Sequence, residues 1–591
     1  EASRSGDRLF HALRVPFLYS PSPEYDMPSA SRMKPVIAAG VVFAMAFAVS
    51  ARCVNHGLVS SSVRSGPGLT LDESFNVGQG IYLFESALDH GPLMFTPSGA
   101  EQVFGRKGYL PDHPPLGRLL LGAAHQTFAT WFDGNLDAPF CIPAARLGSS
   151  LAFALTCGLL TAFAAGHYGI PVGFCAGCLL MQMPRMLGHS RIASLETATG
   201  LFWLLTSLGF LQWWTGPHRP SGRQSFVSGI AWGLLLLTKV QGILIPPLIT
   251  GWAFYQFGWR AVRPLSILAA TGLAVFLFGW PWLWLDPAEN LMTYLGRAAD
   301  RPTLYVWYFG QRYADKLVPW HYPFVLLFAT TPLFVILPTA FRCLRGRLDA
   351  VERLCLTLLI WPLIVFALPG TPVYDGVRLF LVVLPLLALL AGRGLVMIFC
   401  PLSASDSAEE TASGSNRCSA LIRLSVVLLL VFSAVLEAAP FSPYLLDRYS
   451  VVAGLNSGAV NRLGLEACYW ADALNGDFWN QVPEASVVYV APVSHQFQLQ
   501  DLESLVPVIR DRKIRLAPFE YDPQAQRGLT LLIHRLADLR PALRHVPQGA
   551  TVLAEVISDG VVLARLIDTT NATWPEIPDW PNESGPLQAH P

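Results

Sequence analysis

Ionisable side chains stand at the edges of apolar segments in this sequence, where they could take part in proton transfer. The first group is an acidic pair, Asp72 and Glu73, which follows Thr70 and Leu71. A carboxylate at such an edge could accept a proton from the hydroxyl group of an acceptor. Thr70 and Glu73 also have the spacing of a capping box, which is typical of a helix start. The local sequence leaves both interpretations open.

A second motif lies at Asp112–Arg118, with the sequence Asp-His-Pro-Pro-Leu-Gly-Arg. Asp112 could cap a helix, and proline suits the first helical turn. Capping accounts for the acid and for the prolines. It gives no reason for His113 and Arg118, which flank the prolines and therefore stay as candidates for a functional site.

Basic residues follow at three further places. The short segment Gly188–Glu196 contains Arg191, whose planar guanidinium is suited to a phosphate. Lys239 interrupts an apolar stretch, where a lysine also extends its ammonium group to an interface. Arg378 directly precedes an apolar run, so an anion is its natural partner. The Asp375-Gly376 pair before it is also an ordinary turn signal.

The composition assigns these residues to a membrane protein. The chain has 591 residues, 41 Lys+Arg against 41 Asp+Glu, 14% charged and 52% hydrophobic residues, and a mean hydropathy of +0.41. Soluble domains carry about 25% charged residues. The composition excludes a disordered chain, an ordinary cytosolic enzyme and a nucleic-acid binder that relies on overall positive charge. Apolar runs of roughly 16–22 residues predict a polytopic α-helical membrane protein.

The length criterion predicts about eleven transmembrane helices. They are Val36–Val54, Leu147–Ala165, Ile170–Met186, Ala198–Trp214, Phe226–Leu237, Gly242–Phe257, Leu265–Leu285, Pro323–Phe341, Leu354–Leu368, Leu379–Ile398 and Leu424–Ala439. The fifth and sixth are expected to form a tight helical hairpin. The basic residues of the short connections fall on one side, which the positive-inside rule makes cytoplasmic. These residues are Arg32, Lys34, Arg219, Arg223, Arg260, Arg263, Arg342, Arg345, Arg347, Arg353, Arg417 and Arg423.

This topology divides the chain into three parts. Residues 1–35 form a cytoplasmic N-terminal segment, whose first residues need not be natural sequence. Residues 36–440 form the membrane domain, with a long first outer loop at 55–146 and a flexible cytoplasmic linker at Ser403–Ser419. Residues 441–591 form a small extracytoplasmic soluble domain of the α/β or α+β class. Its strand-like segments are Ser486–Val490, Leu529–His534 and Val552–Ile567, and its helical segment is Leu499–Val508.

The topology also places the polar residues on one face of the membrane. Ionisable residues next to membrane helices are costly and tend to mark function. The outer side collects Asp72, Glu73, His113, Arg118, His189, Arg191, Glu196, Lys239, Asp286, Arg301, His321, Tyr374, Asp375 and Arg378. Chemistry at this face cannot use cytosolic nucleotides. An activated substrate is therefore expected to arrive attached to a lipid.

These motifs resemble a known class of enzymes. The acidic pair at the start of the first outer loop, followed by His113-Pro114-Pro115-Leu116-Gly117-Arg118, resembles the protein O-mannosyltransferases and their bacterial relatives, which belong to the GT-C membrane glycosyltransferases. The layout is also similar to that of the aminoarabinose transferases that modify lipid A, where lysine is more usual before Pro-Pro. Arg191–Glu196 resembles the outer turn of the class, although aspartate often replaces Glu196. Pro319–Pro323 and Tyr374–Phe380 resemble later outer-loop motifs.

The resemblance covers about Val36–Ala439 and implies a GT-C-like fold and reaction. The reaction is transfer of a sugar from a polyprenyl phosphate or dolichyl phosphate donor to a protein, lipid or glycan acceptor at the extracytoplasmic face. The C-terminal part does not resemble the sugar-binding repeats of eukaryotic O-mannosyltransferases. The expected location is the bacterial inner or plasma membrane, with the N-terminus cytoplasmic and the C-terminus extracytoplasmic. The resemblance leaves a divalent metal cofactor open.

The residue roles follow partly from the resemblance and partly from charge. By carry-over, Asp72 would be the general base, and Glu73 and His113 would shape or polarise the site. Charge and side predict that Arg191, Lys239 and Arg378 hold the donor phosphate. Further candidates for the substrate-contacting loops are Arg118, His189, Glu196, His321, Tyr374 and Asp375.

Two other functions fit the hydropathy. A transporter or flippase for a lipid-linked sugar would carry polar residues at mid-span and paired repeats with broken helices. The predicted spans are largely free of charge, and the ionisable residues gather at one face, which favours an enzyme. A non-catalytic membrane subunit would give no reason for the acidic pair, the His-Pro-Pro motif and the outer arginines.

Overall fold

The computed structural model describes residues 29–54, 66–132, 139–299, 302–399, 425, 428–430, 433–437, 444–493, 497–519 and 527–577. Some of the sequence predictions lie outside these residues: most of the N-terminal segment, Arg301, the linker Ser403–Ser419, and Arg417 and Arg423. The predicted span Leu424–Ala439 is described only in part.

Helices dominate the chain up to residue 399. They are α1 (Ser29–Ala51), α2 (Leu71–His90), α3 (Pro97–Phe104), α4 (Pro115–Phe128), α5 (Ile142–Tyr168), α6 (Ile170–Met181), α7 (Pro184–Ser190), α8 (Leu195–Trp213), α9 (Gly222–Leu236), α10 (Ile245–Phe257), α11 (Val262–Gly279), α12 (Trp282–Leu285), α13 (Pro287–Ala299), α14 (Tyr322–Thr330), α15 (Leu333–Leu344), α16 (Ala350–Phe366) and α17 (Leu384–Phe399). Short 3-10 helices lie at Gly91–Phe95, Ala129–Trp131, Val240–Leu244, Gly258–Ala261 and Arg378–Val383. Strands β1 (Tyr305–Tyr308) and β2 (Gln311–Ala314) pair antiparallel between α13 and α14.

The apolar helices identify an integral membrane protein. Among the described residues, four helical segments are long and apolar enough to cross a membrane: Met33–Ala51, Ile142–Tyr168, Val240–Gly279 and Arg378–Phe399. Two bent pairs raise the number to six if each is one span: α6 with α7, bent by 70°, and α14 with α15, bent by 116°. The count of eleven spans therefore stays a prediction. Between α9 and α10, where the sequence predicted the turn of a helical hairpin, the helix ends and the backbone of Lys239 is extended.

The helices pack closely where small residues face each other. Helix α2 lies against α4 at Gly80 and Gly122, and a Cβ atom added to Gly122 would lie 2.0 Å from the carbonyl oxygen of Gly80. A large apolar core joins α5, α6, α8, α16 and α17. A second apolar cluster joins the start of α2 and of α5 to residues beyond position 466. The end of the chain is thereby packed directly on the first long loop.

We call residues 444–577, with the gaps given above, the C-terminal segment. Its elements are a 3-10 helix at Val451–Ala453, α18 (Leu455–Ser457), a π-helix at Gly458–Arg462, α19 (Gly476–Trp479), β3 (Val487–Ala491), α20 (Phe497–Leu505), α21 (Pro507–Asp511), β4 (Arg515–Pro518), β5 (Leu529–Ile533), a 3-10 helix at Pro541–Arg544, β6 (Thr551–Ser558) and β7 (Val561–Asp568). The strand order is β4-β3-β5-β7-β6. Strand β3 is parallel to β4 and β5, whereas β7 is antiparallel to β5 and β6.

The predicted elements of the C-terminal segment agree with the structure, with one correction. The strand-like stretches around Val487 and Leu529 are β3 and β5, and the helical stretch from Leu499 falls in α20 and α21. The stretch Val552–Ile567 is a hairpin rather than one strand. It turns at Asp559-Gly560, where both residues have positive φ angles of 50° and 76°, as a two-residue hairpin turn requires.

Candidate functional site

The first turn of α2 carries the acidic pair, and its two carboxylates have different surroundings. Glu73 is fully buried, and its Oε1 and Oε2 atoms accept hydrogen bonds from Nε and Nη2 of Arg146, both at 2.7 Å. The backbone N–H of Thr70 also donates to Glu73 at 2.9 Å, so the capping box is confirmed. The backbone N–H of Ala193 donates to Oε1 at 2.7 Å. Glu73 therefore fixes α2 to α5 and to the turn before α8.

Asp72 points to the cluster that we take as the candidate site. Its side chain is 42% exposed, and one carboxylate oxygen pairs with Nη2 of Arg378. The Nε atom of Arg378 donates to Oε1 of Glu196 at 2.6 Å. Its Nη1 atom donates to Asp375 at 3.1 Å. Arg378 thus connects three carboxylates from three different parts of the chain.

Helix starts position these groups. Asp72 and Glu196 both occupy the second residue of a helix, after Thr70 and Ser194. Acidic side chains are stabilised there by the positive end of the helix dipole. Arg378 begins the 3-10 helix that leads into α17. The sequence therefore places a carboxylate or a guanidinium at the point where each chain segment enters its helix.

Lys239 completes the cluster from the break between α9 and the next 3-10 helix. Its Nζ atom lies 2.7 Å from Oε1 of Glu196, and both side chains are buried. A hydrogen bond connects this break to the first outer loop: the backbone N–H of Leu116 donates to the carbonyl of Leu237 at 3.0 Å. Lys239, Glu196 and Arg378 form one buried charge network beside the half-exposed Asp72.

The His-Pro-Pro segment lies next to this network. His113 is half-buried, and burial together with the positive charges of Arg118, Lys239 and Arg378 lowers the pKa of its imidazole to about 3. The imidazole is therefore neutral at physiological pH. Arg118 is almost completely buried and forms a bidentate pair with Asp112 at 2.7 and 2.9 Å. Asp112 does not cap α4, as the sequence suggested, because Pro114 takes the cap position.

The C-terminal segment contributes residues that the sequence analysis did not select. The ring of Trp470 lies 4.7 Å from the guanidinium carbon of Arg378 and edge-on to His189, with ring centroids 5.0 Å apart. Arg535 donates to Asp375 at 3.2 Å. No local signal marks Trp470 or Arg535, because their partners are distant in the sequence. Arg378 and Asp375 both precede α17, whereas Trp470 and Arg535 follow it.

The remaining predicted residues lie in other surroundings. Nη2 of Arg191 donates to the carbonyl of Val49 at 3.3 Å, at the end of α1. The role of Arg191 in holding the donor phosphate therefore stays a prediction. His321 hydrogen-bonds through Nδ1 to the hydroxyl of Tyr308 at 2.6 Å, on the β1–β2 hairpin. Tyr374 lies at the edge of the cluster, with its ring 6.0 Å from Arg378.

Two apolar cavities lie along helices α9, α10 and α11. One has a volume of about 210 Å³ and is lined by Leu236, Ile243, Leu273, Phe276 and Tyr294, among others. The other, of about 300 Å³, shares Trp232 and Pro246 with it. Both cavities are therefore parts of one apolar surface formed by α9, α10 and α11.

Within the part of the chain that the structure describes, one group of three residues has side chains close enough together to bind a metal ion. It consists of Asp447, Cys468 and Asp472, whose ligand atoms lie within 4.8 Å of one another. The carboxylates around Arg378 do not form such a group among those residues. Whether the sugar-transfer reaction uses a divalent metal therefore stays open.

The comparisons with known proteins give likenesses of fold only. No family model and no curated protein matches the sequence. The structure is similar to apo ArnT from Cupriavidus metallidurans, with a TM-score of 0.44 and 16% identity over 91% of this chain and 98% of that chain. The undecaprenyl phosphate-bound form of that protein gives 0.43 and 15%, over 89% and 97%. Apo oligosaccharyltransferase from Archaeoglobus fulgidus gives 0.42 and 13%, over 81% and 64%.

Proposed function

We propose that this protein transfers a sugar from a polyprenyl-phosphate or dolichyl-phosphate donor to an acceptor hydroxyl group at the extracytoplasmic membrane face. The observation that carries the proposal is the contact between half-exposed Asp72 and Arg378, which also binds buried Glu196. A proton acceptor thus stands directly beside a fixed guanidinium. Glycosyl transfer needs a base for the acceptor and a cation for the departing phosphate, and this site offers both.

The charges of the network suit a leaving phosphate. Arg378 and Lys239 are both next to Glu196, so their positions are fixed before a substrate binds. As the bond between the sugar carbon and the phosphate oxygen breaks, negative charge collects on the phosphate. Preorganised cations lower the barrier most where charge develops in this way. The proposal assigns the phosphate to Arg378 and Lys239, which share Glu196.

The reaction forms one bond, breaks one bond and moves one proton. The acceptor oxygen forms the new bond to the sugar carbon, and its proton moves to Asp72. The old bond releases polyprenyl phosphate towards Arg378 and Lys239. Attack from the face opposite to the phosphate inverts the sugar carbon. Neutral His113 beside the network can donate a hydrogen bond to the sugar without adding charge.

The apolar cavities along α9, α10 and α11 supply a surface for the lipid part of the donor. The smaller cavity is lined by Leu236 and Tyr294, and Leu236 is three residues before Lys239 in the sequence. A polyprenyl chain in these cavities would present its phosphate to the ammonium group of Lys239. Apolar burial of the chain and charge pairing of the phosphate would then stabilise the same bound position.

The test is single-turnover transfer with purified protein and a labelled polyprenyl-phosphate sugar. Asp72→Asn is expected to abolish release of polyprenyl phosphate while the protein still inserts and melts normally. Asp89→Asn is the matched control, because Asp89 is an exposed acid on the same helix. Unchanged turnover in Asp72→Asn would overturn the role of the base. Movement of intact donor across vesicles, without release of polyprenyl phosphate, would support a transporter instead.

A further inference from the structure

A buried cluster in the C-terminal segment lies outside the proposed transfer site. Asp447, Cys468 and Asp472 are each fully buried, and one possible ligand atom from each lies within 4.8 Å of the other two. Asp447 precedes α18, and the other two residues flank the loop that carries Trp470. The cluster thus holds two carboxylates and a thiol with no access to bulk water.

Among the described residues, three of the four carboxylate oxygens of this cluster have no donor from outside it: both oxygens of Asp472 and Oδ2 of Asp447. Within the cluster, Asp447 lies within hydrogen-bond reach of both Asp472 and Cys468. The Oδ1 atom of Asp447 accepts from the backbone N–H of Tyr469 at 3.0 Å. A buried carboxylate without partners costs several kcal/mol unless it is paired, protonated or bound to a metal. Two adjacent buried carboxylates therefore either share a proton or bind a positive group.

Arg185 is a second observation at this cluster, since its positive charge acts on both Asp447 and Asp472. Its side chain is 4% exposed, and its Nε and Nη2 atoms have no partner among the described residues. The guanidinium stacks on Tyr449 and Tyr469 at 5.2 and 5.0 Å. One arginine cannot neutralise two carboxylates. A divalent cation bound to two carboxylates and one thiolate leaves a single negative charge, which Arg185 balances.

We propose that Asp447, Cys468 and Asp472 bind a divalent cation of the zinc class and thereby hold Trp470 against Arg378. A thiolate ligand favours zinc over magnesium or calcium. In a tetrahedral zinc site, ligand atoms about 3.5 Å apart follow from bond lengths of about 2.0–2.3 Å. Small side-chain rotations bring the three residues to this spacing. The fourth position is left for water or for a neighbouring group.

The loop geometry explains what such an ion would do. Trp470 lies between two of the ligands, and the backbone carbonyl of Asp472 accepts from the N–H of Gly68 at 2.7 Å. Gly68 is just before the start of α2. An ion at this place would therefore fix the Trp470 loop to the segment that carries Asp72. The binding itself does not depend on the proposed function; only its effect on sugar transfer does.

The experiment is a metal measurement on the full-length protein purified without chelators. We expect about one zinc per chain, and a sulfur-to-metal charge-transfer absorption after replacement by cobalt. Cys468→Ala and Asp472→Asn should each lower the affinity at least about tenfold. Cys355→Ala is the matched control, since Cys355 is also fully buried but lies in α16. Its zinc content should equal that of the wild type.

Three results would overturn the site. The wild type could fail to bind zinc or cobalt, or Cys468→Ala could keep the cobalt absorption. Alternatively, Asp472→Asn could melt at a higher temperature than the wild type as purified, which would mean that the two aspartates share a proton and bind no ion. A chelator that removes zinc and lowers the melting temperature, with recovery on adding zinc, supports the site even if no sugar transfer is found.

Discussion

At the scale of single residues, the network around Arg378 combines carboxylates and basic groups in similar number. Asp72, Glu196 and Asp375 are negative, and Lys239, Arg378 and Arg535 are positive. Arg535 also pairs with Asp538 at 2.6 Å. A donor phosphate adds negative charge, so it must compete with a carboxylate for Arg378. Asp72 is the most exposed of the three and is the easiest to displace. Donor binding would therefore release Asp72 to act as a base.

Arg378→Ala should act mainly through the donor. Removing one preorganised group that stabilises developing charge costs about 10²- to 10³-fold in rate. We expect a loss of this size in kcat/KM for the donor, measured by release of polyprenyl phosphate at fixed acceptor concentration. Arg378→Lys should keep part of the activity because it keeps the charge. Exposed Arg345 at the end of α15 provides the control, Arg345→Ala. A defect confined to acceptor KM would contradict the assignment.

His113 makes stability depend on pH. Its pKa in the folded protein is about 3, whereas an unfolded histidine titrates near 6.5. Below about pH 6.5 the unfolded chain gains a proton that folded His113 does not accept, so stability decreases as the pH falls towards 3. We expect His113→Gln to flatten the dependence of the melting temperature between pH 7 and pH 5. His218→Gln, at an exposed histidine, should leave the slope unchanged.

At the scale of elements, the pair of Glu73 and Arg146 is the main link between the first loop and the helices. Both side chains are fully buried, and Arg146 also donates to the carbonyls of Val54, Pro67 and Gly68. Breaking a buried pair from one side costs about 3–5 kcal/mol. We expect Glu73→Gln to lower the melting temperature in detergent strongly. Melting of Glu73→Gln like the wild type would show that the link does not contribute to stability.

The contact of α2 with α4 gives a second prediction at this scale. A Cβ atom at Gly122 would meet backbone atoms of Gly80 at 2.0 and 2.3 Å. Since the backbone cannot give way like a side chain, Gly122→Ala should force the helices apart and destabilise the protein by about 1–3 kcal/mol or more. Gly166→Ala is the control. Gly166 lies in α5 with no atom within 4 Å of an added Cβ, so alanine there should be neutral or stabilising.

Local patterns predicted the elements better than they predicted the partners of the side chains. The Thr70 capping box, the strands of the C-terminal segment and the proline start of α4 each depend on neighbours within a few residues, and each is present. The partner of Glu73 is 73 positions away in the sequence. The acidic pair looked like a single site from its sequence. Tertiary contacts separate it into an anchor, Glu73, and a half-exposed acid, Asp72.

At the scale of the whole molecule, the candidate site is built from the first outer loop, the membrane helices and the C-terminal segment. Trp470 and Arg535 belong to the C-terminal segment, yet they contact Arg378 and Asp375. Sequence reasoning treated residues 441–591 as a separate part without a readable role, because no motif connects them to the membrane helices. The eleven predicted spans also assumed straight crossings. The 70° and 116° bends make hydropathy a poor guide to their number.

Trp470 should matter for transfer but little for folding. It is half-buried, and its ring covers the guanidinium of Arg378. A partly desolvated cation–π contact contributes about 0.5–2 kcal/mol, so Trp470→Ala should lower donor kcat/KM by about 2- to 30-fold. Trp470→Phe should recover most of the loss because it keeps an aromatic face. Trp131→Ala, at a tryptophan that is 70% exposed, is the control. A lower melting temperature without a kinetic change would assign Trp470 a purely structural role.

The shared carboxylate of Asp375 has a consequence for biosynthesis. Arg378 holds it from the membrane helices and Arg535 from near the end of the chain. The chain must therefore be synthesised at least as far as Arg535 before this ion pair can form. A nonsense mutation between codons 440 and 535 would leave a product that keeps all the predicted spans but lacks Arg535 at Asp375. Such truncated products should accumulate in membranes as inert protein.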